Sequence, residues 1–342
     1  MNMNAAAPYV SVIVPVHNQA NLLQKLLRSI WSEDMPTGSY EVVVTDDGSA
    51  RPVREELEQA FPDVVRGRPL RMLRHEHSKG AAAARNTCCA AAAGEVLFFL
   101  DADTIIEAGS LRRVHDRFRS EPALGAVNGG GAMDPANPED GFTPRYRALL
   151  DHIQQNRRAP VACTFFTPRC GAVRRKFFDA CGQYDPSFPG ASVEEYEFGY
   201  RLARHTPIAF DPQINVLHHY QKFWKNNRNF FSRVRFWMRL FRKHKKFENF
   251  GSVTSYYGAG SVLGAIAALL LPFVCCRMGI AIACLISFKL FLICYAELFI
   301  WTFRLKGLRF TIRSILLSWW LCLFITAGAL AGAIDGLTGK SD

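Results

Sequence analysis

Length, charge and hydropathy indicate a globular domain joined to an unlike C-terminal region. The chain has 342 residues and a mean hydropathy of +0.01, yet acids and short apolar runs alternate up to about Tyr220, whereas long apolar blocks follow Val253. Ten lysines and arginines and no acid lie between Lys222 and Lys246, in a chain whose formal charge is +11. A charge confined to one segment argues against a protein that coats nucleic acid.

The cysteines and the N-terminus exclude two further classes. The ten cysteines form no CxxC pair and no Cys/His ladder with zinc spacing, so we expect reduced, apolar thiols. Met1–Pro8 has neither the basic nor the apolar region of a signal peptide. We therefore expect the first domain to remain in the cytosol.

The first 220 residues alternate strands with helices. Tyr9–Val16 is a continuous apolar run typical of a buried parallel strand, and Asn18 can cap the amphipathic helix that follows it. Further strands are expected at Glu41–Thr45, Arg71–Arg74 and Glu95–Leu100. This order predicts a doubly wound α/β sheet, in which ligands bind beyond the carboxyl ends of the strands.

The loop after the second strand and the start of the next helix offer polar groups to a nucleotide. Asp46 and Asp47 can accept from a base N–H or a ribose hydroxyl, or can form a β-turn through an Asx hydrogen bond. Lys79 precedes an Ala-rich helix whose N-terminus favours a phosphate, although the small residues also suit plain packing on the sheet. Arg85, within that helix, either contacts the donor or pairs with an acid.

A second acidic cluster, Asp101-Ala102-Asp103, ends the fourth strand. Residues two apart on an extended chain point to the same side, so both carboxylates can face one site. Such oxygens suit Mg²⁺ or Mn²⁺ bound across a diphosphate, where the metal offsets charge on the leaving group. The alternative is that Asp103 caps a helix that begins near Glu107.

Two candidates lie later in the chain. Glu195 opens a helix and is either a general base for an acceptor hydroxyl or, with Ser192, part of a capping box. His218 follows an apolar strand at Ile214–Leu217 and either reaches a metal or phosphate or is a histidine at a strand edge.

The remainder of the chain is typical of a membrane anchor. In residues 221–252 aromatic rings interleave with cations, which favours an amphipathic basic helix at a membrane surface. The apolar blocks predict three spans, at Ser255–Cys276, Met278–Phe303 and Ser314–Ile334. The cationic Arg304–Arg313 loop then lies in the cytosol with the first domain, as the positive-inside rule requires. The expected parts are 1–220, 221–252 and 253–342.

Five motifs together resemble the family 2 glycosyltransferases of GT-A fold. In chain order they are SVIVPVHN, VVVTDDGS, KGAAAARN, EVLFFLDADT and VEEYEFGYRL, and they cover about Tyr9 to Tyr220. The resemblance implies a Rossmann-like mixed sheet and inverting transfer from a nucleotide sugar. It also implies that Asp46 and Asp47 hold the nucleoside and that Asp101 and Asp103 hold ribose, metal and diphosphate. Glu195 is then the base.

Together with the interpretation of single residues, the candidate set divides into three groups. The nucleotide-sugar-binding candidates are Pro15, Asp46, Asp47, Lys79, Arg85 and Asp101. The metal-binding candidates, for Mg²⁺ or Mn²⁺, are Asp103, Asp101 and His218. The catalytic candidate is Glu195.

The sequence also departs from the family pattern. Gln19 stands where an acid is common after the first strand, and Glu194-Glu195 replaces a Glu-Asp pair, which lengthens the base by one methylene. No Gln-x-x-Arg-Trp motif follows, which favours addition of one sugar over processive synthesis.

We therefore expect transfer of one sugar to a hydroxyl of a lipid or lipid-linked glycan. The expected place is the cytoplasmic face of a bacterial inner membrane, with membrane lipids as partners of the basic helix and no nucleic acid bound. One alternative is a polyprenyl-phosphate glycosyltransferase, whose phosphate nucleophile needs no base. The other is a non-catalytic nucleotide-sugar-binding protein, against which the intact Asp101, Asp103 and Glu195 argue.

Overall fold

The chain forms two compact units. A computed structural model describes residues 8–36, 38–156, 163–187, 194–244 and 254–338, without the side chains of 239–240 and 243–244. The first unit comprises Met1–Asn137 and Arg158–His219, and the second comprises Pro138–Arg157 and Tyr220–Asp342. The predicted boundaries at 220 and 252 stay predictions.

One mixed sheet of eight strands organises the first unit. Its spatial order is β3-β2-β1-β4-β7-β6-β8-β5. The strands are β1 (Val10–Val16), β2 (Tyr40–Asp46), β3 (Leu70–Arg74), β4 (Val96–Leu100), β5 (Thr104–Ile106), β6 (Ala126–Gly131), β7 (Cys170–Arg174) and β8 (Ile208–His218). The first four pair in parallel, whereas β7 runs antiparallel to both β4 and β6. The expected mixed α/β sheet is confirmed.

Helices cover this sheet and bury its central strands. The first unit has α1 (Ala20–Trp31), α2 (Val53–Ala60), α3 (Ala81–Ala91) and α4 (Ser110–Ser120), and after α5 of the other unit it continues with α6 (Arg175–Ala180) and α7 (Glu194–Leu202). Every residue of β4 is buried, as are all but one of β1, because both faces of a parallel sheet are covered. This core fixes the strand ends that carry the acidic clusters.

The structure excludes the expected helix cap at Asn18 and the alternative helix cap at Asp103. Asn18 does not cap α1, which starts after Gln19; its backbone lies in the left-handed region (φ 55°) and its side-chain Oδ1 accepts from the Ala50 amide at 2.9 Å. Asp103 does not cap a helix either, because β5 follows it directly and α4 begins only at Ser110. Both side chains therefore belong to loops at the edge of the sheet and not to helix caps.

The second unit is helical. It contains α5 (Phe142–Asn156), α8 (Phe223–His244), α9 (Ser255–Leu270), α10 (Met278–Cys294) and α11 (Ala296–Thr338). One face of α8 packs on α11, where Arg235 binds Asp335 through two hydrogen bonds of 2.5 and 2.9 Å. At Gly328 a Cβ would meet the Phe231 carbonyl oxygen at 2.5 Å, so only glycine lets α8 and α11 approach this closely.

The described part of α8 keeps a basic outer face. Trp224 is 71% exposed, and Lys225, Arg228 and Arg233 are exposed beside it. Lys245 and Lys246, and the side chains of residues 239 and 243, lie outside the described residues.

Two helices of the described chain are long and apolar enough to cross a membrane, by length and composition. They are Ser255–Phe273 and Ala296–Thr338, whereas Met278–Cys294 is shorter. The expected span Met278–Phe303 is interrupted, because α10 ends at Cys294 and α11 begins at Ala296. The expected Arg304–Arg313 loop is helical except at Gly307, whose φ of 77° and ψ of −179° break α11 into two helices.

Replacing Gly48 with alanine should destabilise the first unit more than the same change at Gly67. Both glycines have a left-handed backbone, with φ of 69° and 67°, which costs a non-glycine residue about 1–2 kcal/mol. At Gly48 a Cβ would also meet the backbone of His77 and Ser78 at 2.6 Å, whereas nothing lies within 4 Å at Gly67. At Gly48, overpacking should therefore lower the free energy of unfolding by about 1–3 kcal/mol more.

Melting temperatures of the two purified variants in detergent test this difference. An equal fall in both variants would show that the loops at Gly48 and at His77–Ser78 are not in contact.

Candidate active site

Three loops meet at the carboxyl-terminal edge of the parallel strands. β1 lies between β2 and β4, and all three run parallel, so the residues that follow them share one edge of the sheet. Pro15 lies near the end of β1, partly exposed and in register with Thr45 of β2. In α/β sheets this edge is where ligands bind.

Asp46 is committed to the architecture of its own loop. Its Oδ1 accepts from the Ser49 amide at 3.0 Å, and its Oδ2 accepts from the Val53 amide at 3.1 Å and from the Arg74 guanidinium. Burial raises the pKa of Asp46, but these hydrogen bonds outweigh burial and hold it below its usual value. Asp46 therefore stays ionised and fixes the turn and the start of α2.

Asp47 binds the segment before α3. Its Oδ1 accepts from the Lys79 amide (2.9 Å) and His75 Nδ1 (2.7 Å), and its Oδ2 accepts from Ser78 Oγ (2.7 Å) and the Gly80 amide (2.9 Å). Burial raises the pKa of Asp47, and the four hydrogen bonds lower it further than burial raises it. Lys79 is exposed, although its backbone amide is bound to Asp47. The roles of Pro15, Asp46, Asp47 and Lys79 in nucleotide binding stay predictions.

The second acidic cluster contacts a histidine from the far end of the sheet. Asp101, Asp103 and His218 offer ligand atoms that all lie within 4.8 Å of one another, and each is partly exposed. Strand pairing explains the meeting: Thr104 of β5 is in register with His218 of β8, and the His219 amide donates to the Asp103 carbonyl at 2.8 Å. His218 Nε2 and Asp103 Oδ1 are 3.4 Å apart.

The chemistry of this donor set fits a divalent cation. Two carboxylates and an imidazole supply oxygen and nitrogen ligands, and partial exposure leaves room for substrate oxygens. Burial, with a smaller contribution from Asp101, raises the pKa of Asp103 against the opposing effect of His218. A cation bound there would relieve this accumulation of negative charge.

Arg85 joins the acidic cluster to α7. Its Nη2 donates to Asp101 Oδ1 at 2.8 Å and its Nη1 donates to Glu194 Oε1 at 3.2 Å, while the guanidinium lies 5.5 Å from the centre of the Tyr184 ring. Burial lowers the pKa of Arg85, but Asp101 and Glu194 outweigh it and raise the pKa above its usual value. The structure pairs Arg85 with acids, and its contact with a nucleotide-sugar donor stays a prediction.

Glu195 lies in the first turn of α7 and is half-buried. Its carbonyl oxygen accepts from the Phe166 amide at 3.0 Å. At Gly199, one turn further, a Cβ would meet the Phe165 Cα at 2.4 Å, so the missing side chain lets α7 lie against this segment. Ser192, the partner in the alternative capping box, lies outside the described residues.

Sequence reasoning did not identify the support for the Phe165–Phe166 segment. Asn128 of β6 donates from Nδ2 to the Phe165 carbonyl at 2.9 Å, and its Oδ1 accepts from the Thr167 amide at 2.8 Å. An asparagine beside three glycines in a buried strand was the available signal, because a buried amide needs partners for both of its ends. Spacing gave no signal for the Arg85–Glu194 pair, which is 109 residues apart.

Curated relatives are glycosyltransferases that match part of the chain. Glycosyltransferase AglE of Haloferax volcanii is 36% identical over 104 residues, which is 30% of this chain and 32% of that protein. Beta-monoglucosyldiacylglycerol synthase of Trichormus variabilis is 27% identical over 54% of this chain and 39% of that protein. Pre-mycofactocin glycosyltransferase of Mycobacterium tuberculosis is 35% identical over 58% and 41%. The chain thus covers less than half the length of each of these relatives.

A solved structure shares the fold, and a family model identifies the family. The structure is similar to the mannosyltransferase PcManGT from Pyrobaculum calidifontis in complex with GDP-Man and Mn²⁺, with a TM-score of 0.58 at 19% identity over 98% of this chain and 89% of that one. This likeness confirms the GT-A fold. The model of glycosyl transferase family 2 matches residues 11–182, just over half of the 342 residues, and the chain therefore belongs to that family.

Proposed function

We propose that this protein transfers one sugar from a nucleoside diphosphate sugar to a hydroxyl of a lipid or lipid-linked glycan, with inversion and with Mg²⁺ or Mn²⁺. The observation that carries the proposal is the cluster of Asp101, Asp103 and His218 at the ligand-binding edge of the sheet, tied through Arg85 to the helix of Glu195. The glycosyltransferase relatives support the reaction class.

Asp101, Asp103 and His218 are the residues that would hold the metal. When bound, the metal offsets the negative charge that develops on the departing nucleoside diphosphate. The protein contributes a carboxylate turn that the Asp101 carbonyl stabilises, since it accepts from the Thr104 amide at 3.1 Å and from Thr104 Oγ1 at 2.8 Å. A stable turn holds both carboxylates in place for a donor diphosphate.

Glu195 is the proposed base for the acceptor hydroxyl. A hydroxyl has a pKa far above neutral, so its proton must be removed as the bond to the anomeric carbon forms. Attack by the acceptor on the face opposite the leaving group gives inversion. A polyprenyl phosphate acceptor is already ionised and would make Glu195 dispensable, which separates that alternative from the main proposal.

A membrane acceptor is supported by the second unit. Apolar side chains on α9–α11 are exposed, among them Leu269 (65%), Met278 (76%) and Ile293 (68%), which suits contact with lipid. The name of the Trichormus relative, beta-monoglucosyldiacylglycerol synthase, specifies a glycolipid. We place the first unit and the cationic Arg304–Arg313 stretch on the cytoplasmic side of a bacterial inner membrane, with the exposed cations of α8 against anionic lipid.

Asp103→Asn should lower metal-dependent turnover by about 100-fold or more, because a ligand to the metal loses its charge. The melting temperature should hardly change, since asparagine preserves the backbone bond from the His219 amide and removes a charge that its surroundings disfavour. The measurement is release of nucleoside diphosphate as Mn²⁺ is titrated.

Asp116→Asn is the matched control, because Asp116 is exposed on α4 and pairs there with Arg112. Full activity of Asp103→Asn, or activity of the unaltered protein that survives a chelator, would contradict the metal assignment.

Glu195→Gln should slow transfer by about 10²–10⁴-fold while donor affinity survives, because glutamine keeps the size of the side chain but cannot accept the proton. If Glu195 were only a helix cap, the rate of transfer would be unchanged and the free energy of unfolding would fall by about 1 kcal/mol or less. Donor affinity, melting temperature and turnover are measured on one preparation.

Glu197→Gln on the same helix is the control for Glu195→Gln, since the Glu197 carboxylate is paired with Arg201 one turn further along α7. Near-normal turnover of Glu195→Gln would refute a hydroxyl acceptor and favour the phosphate alternative.

A membrane-impermeant maleimide added outside intact cells should label Cys275 and Cys276. Three spans put the turn between α9 and α10 outside, and these two are the exposed cysteines of the described chain. Serine at both positions should abolish the labelling, because the other described cysteines are buried or half-buried. A reporter fused after Asp342 should also lie outside. Labelling only after the membrane is opened, with the reporter inside, would refute three spans.

A further inference from the structure

A single buried arginine contacts two parts of the candidate site that are far apart in sequence. Arg85 comes from the middle of α3, Asp101 from the end of β4, and Glu194 from the first position of α7. The pairs are 16 and 109 residues apart. One guanidinium therefore fixes a carboxylate of the metal cluster and the helix of the proposed base at the same time.

The surroundings of Arg85 hold it in one orientation. The side chain is 3% exposed, as is that of Glu194, and the neighbouring Asn86 bonds both the amide and the carbonyl of Tyr184, whose ring faces the guanidinium. Two planar N–H groups aimed at two acids are a geometry that arginine provides and lysine does not.

We propose that Arg85 is a positioning residue that couples metal binding at Asp101 to the placement of α7. The proposal rests on the proposed function, because it takes Asp101, Asp103 and His218 as metal ligands and Glu195 as the base. Arg85 acts through Asp101 and Glu194.

The sign of the coupling follows from the charges. Asp101 and Glu194 attract the Arg85 guanidinium at its two Nη atoms, at 2.8 and 3.2 Å. A divalent cation on Asp101 weakens the attraction of that carboxylate for Arg85, so the guanidinium can move closer to Glu194 and shorten the longer of the two bonds. The first turn of α7, and Glu195 with it, is then held more firmly once the metal site is filled.

Hydrogen exchange of α7 amides with and without Mn²⁺ measures this coupling without any sugar donor. In the unaltered full-length protein Mn²⁺ should slow exchange of residues 194–202 by about fivefold or more, the lower range for coupled sites. Electron paramagnetic resonance of Mn²⁺ on the same samples reports binding. In Arg85→Gln, Mn²⁺ should still bind but should no longer slow exchange in α7.

Arg174→Gln is the matched control. Arg174 is also buried, pairs with Glu95 and donates to the Phe118 and Leu124 carbonyls. In the sheet, Arg174 of β7 is in register with Val96 at the start of β4, whereas Asp101 follows the other end of that strand. This variant should melt lower yet keep the full effect of Mn²⁺ on α7.

Glu194→Gln provides a second test if Arg85→Gln does not fold. It leaves the bond from Arg85 to Asp101 in place, so Mn²⁺ should bind and exchange in α7 should no longer respond. An Mn²⁺ effect on α7 that persists in either variant, or that is absent from the unaltered protein although Mn²⁺ binds, would overturn the coupling. Failure of the unaltered protein to bind Mn²⁺ would instead refute the metal site of the proposed function, and the coupling with it.

Discussion

The charge of Arg85 is the constraint on which the candidate site depends. A guanidinium that is 3% exposed must keep its carboxylate partners, because a buried charge without them is strongly unfavourable. Asp101 and Glu194 are those partners, so the end of β4 and the start of α7 must meet at α3. α3 itself is fixed at its N-terminus by the bond from the Gly80 amide to Asp47. The Asp47 loop, the carboxylate of Asp101 and the start of α7 are thus organised around one helix.

The acids at the sheet edge divide into two groups by what they contact. Asp46 and Asp47 are buried. Asp46 accepts hydrogen bonds from its own loop and from Arg74, and Asp47 accepts them from the segment before α3, which keeps both ionised and stabilises this edge. Asp101 and Asp103 are partly exposed, and Asp103 lies in a setting that raises its pKa, chiefly through burial. The two acidic motifs at this edge of the sheet therefore differ in exposure and in how many hydrogen bonds their carboxylates already accept.

Local sequence patterns predicted the strands and helices whose formation depends on neighbouring residues. They did not predict contacts between residues that are far apart in the sequence. Apolar runs located β1 and β4, and Asp101-Ala102-Asp103 was correctly placed at a strand end. Asn18 was assigned to a helix cap because capping chemistry is local, whereas its partner Ala50 is 32 residues away. The glycine-rich β6 was not predicted because it lacks an apolar pattern. The cations of Arg304–Arg313 indicated a loop, whereas the structure has helix there with a break at Gly307. The Arg85–Glu194 pair needed the tertiary fold.

Release of nucleoside diphosphate from a panel of nucleotide sugars, each with Mn²⁺, with Mg²⁺ and with a chelator, in the presence of a bacterial lipid extract, tests the proposed reaction most directly. We expect that at least one donor is consumed, that the chelator stops the reaction, and that the extract yields a glycosylated lipid whose anomeric configuration is opposite to that of the donor. Consumption of no donor, or consumption that the chelator leaves unchanged, would contradict the proposed reaction.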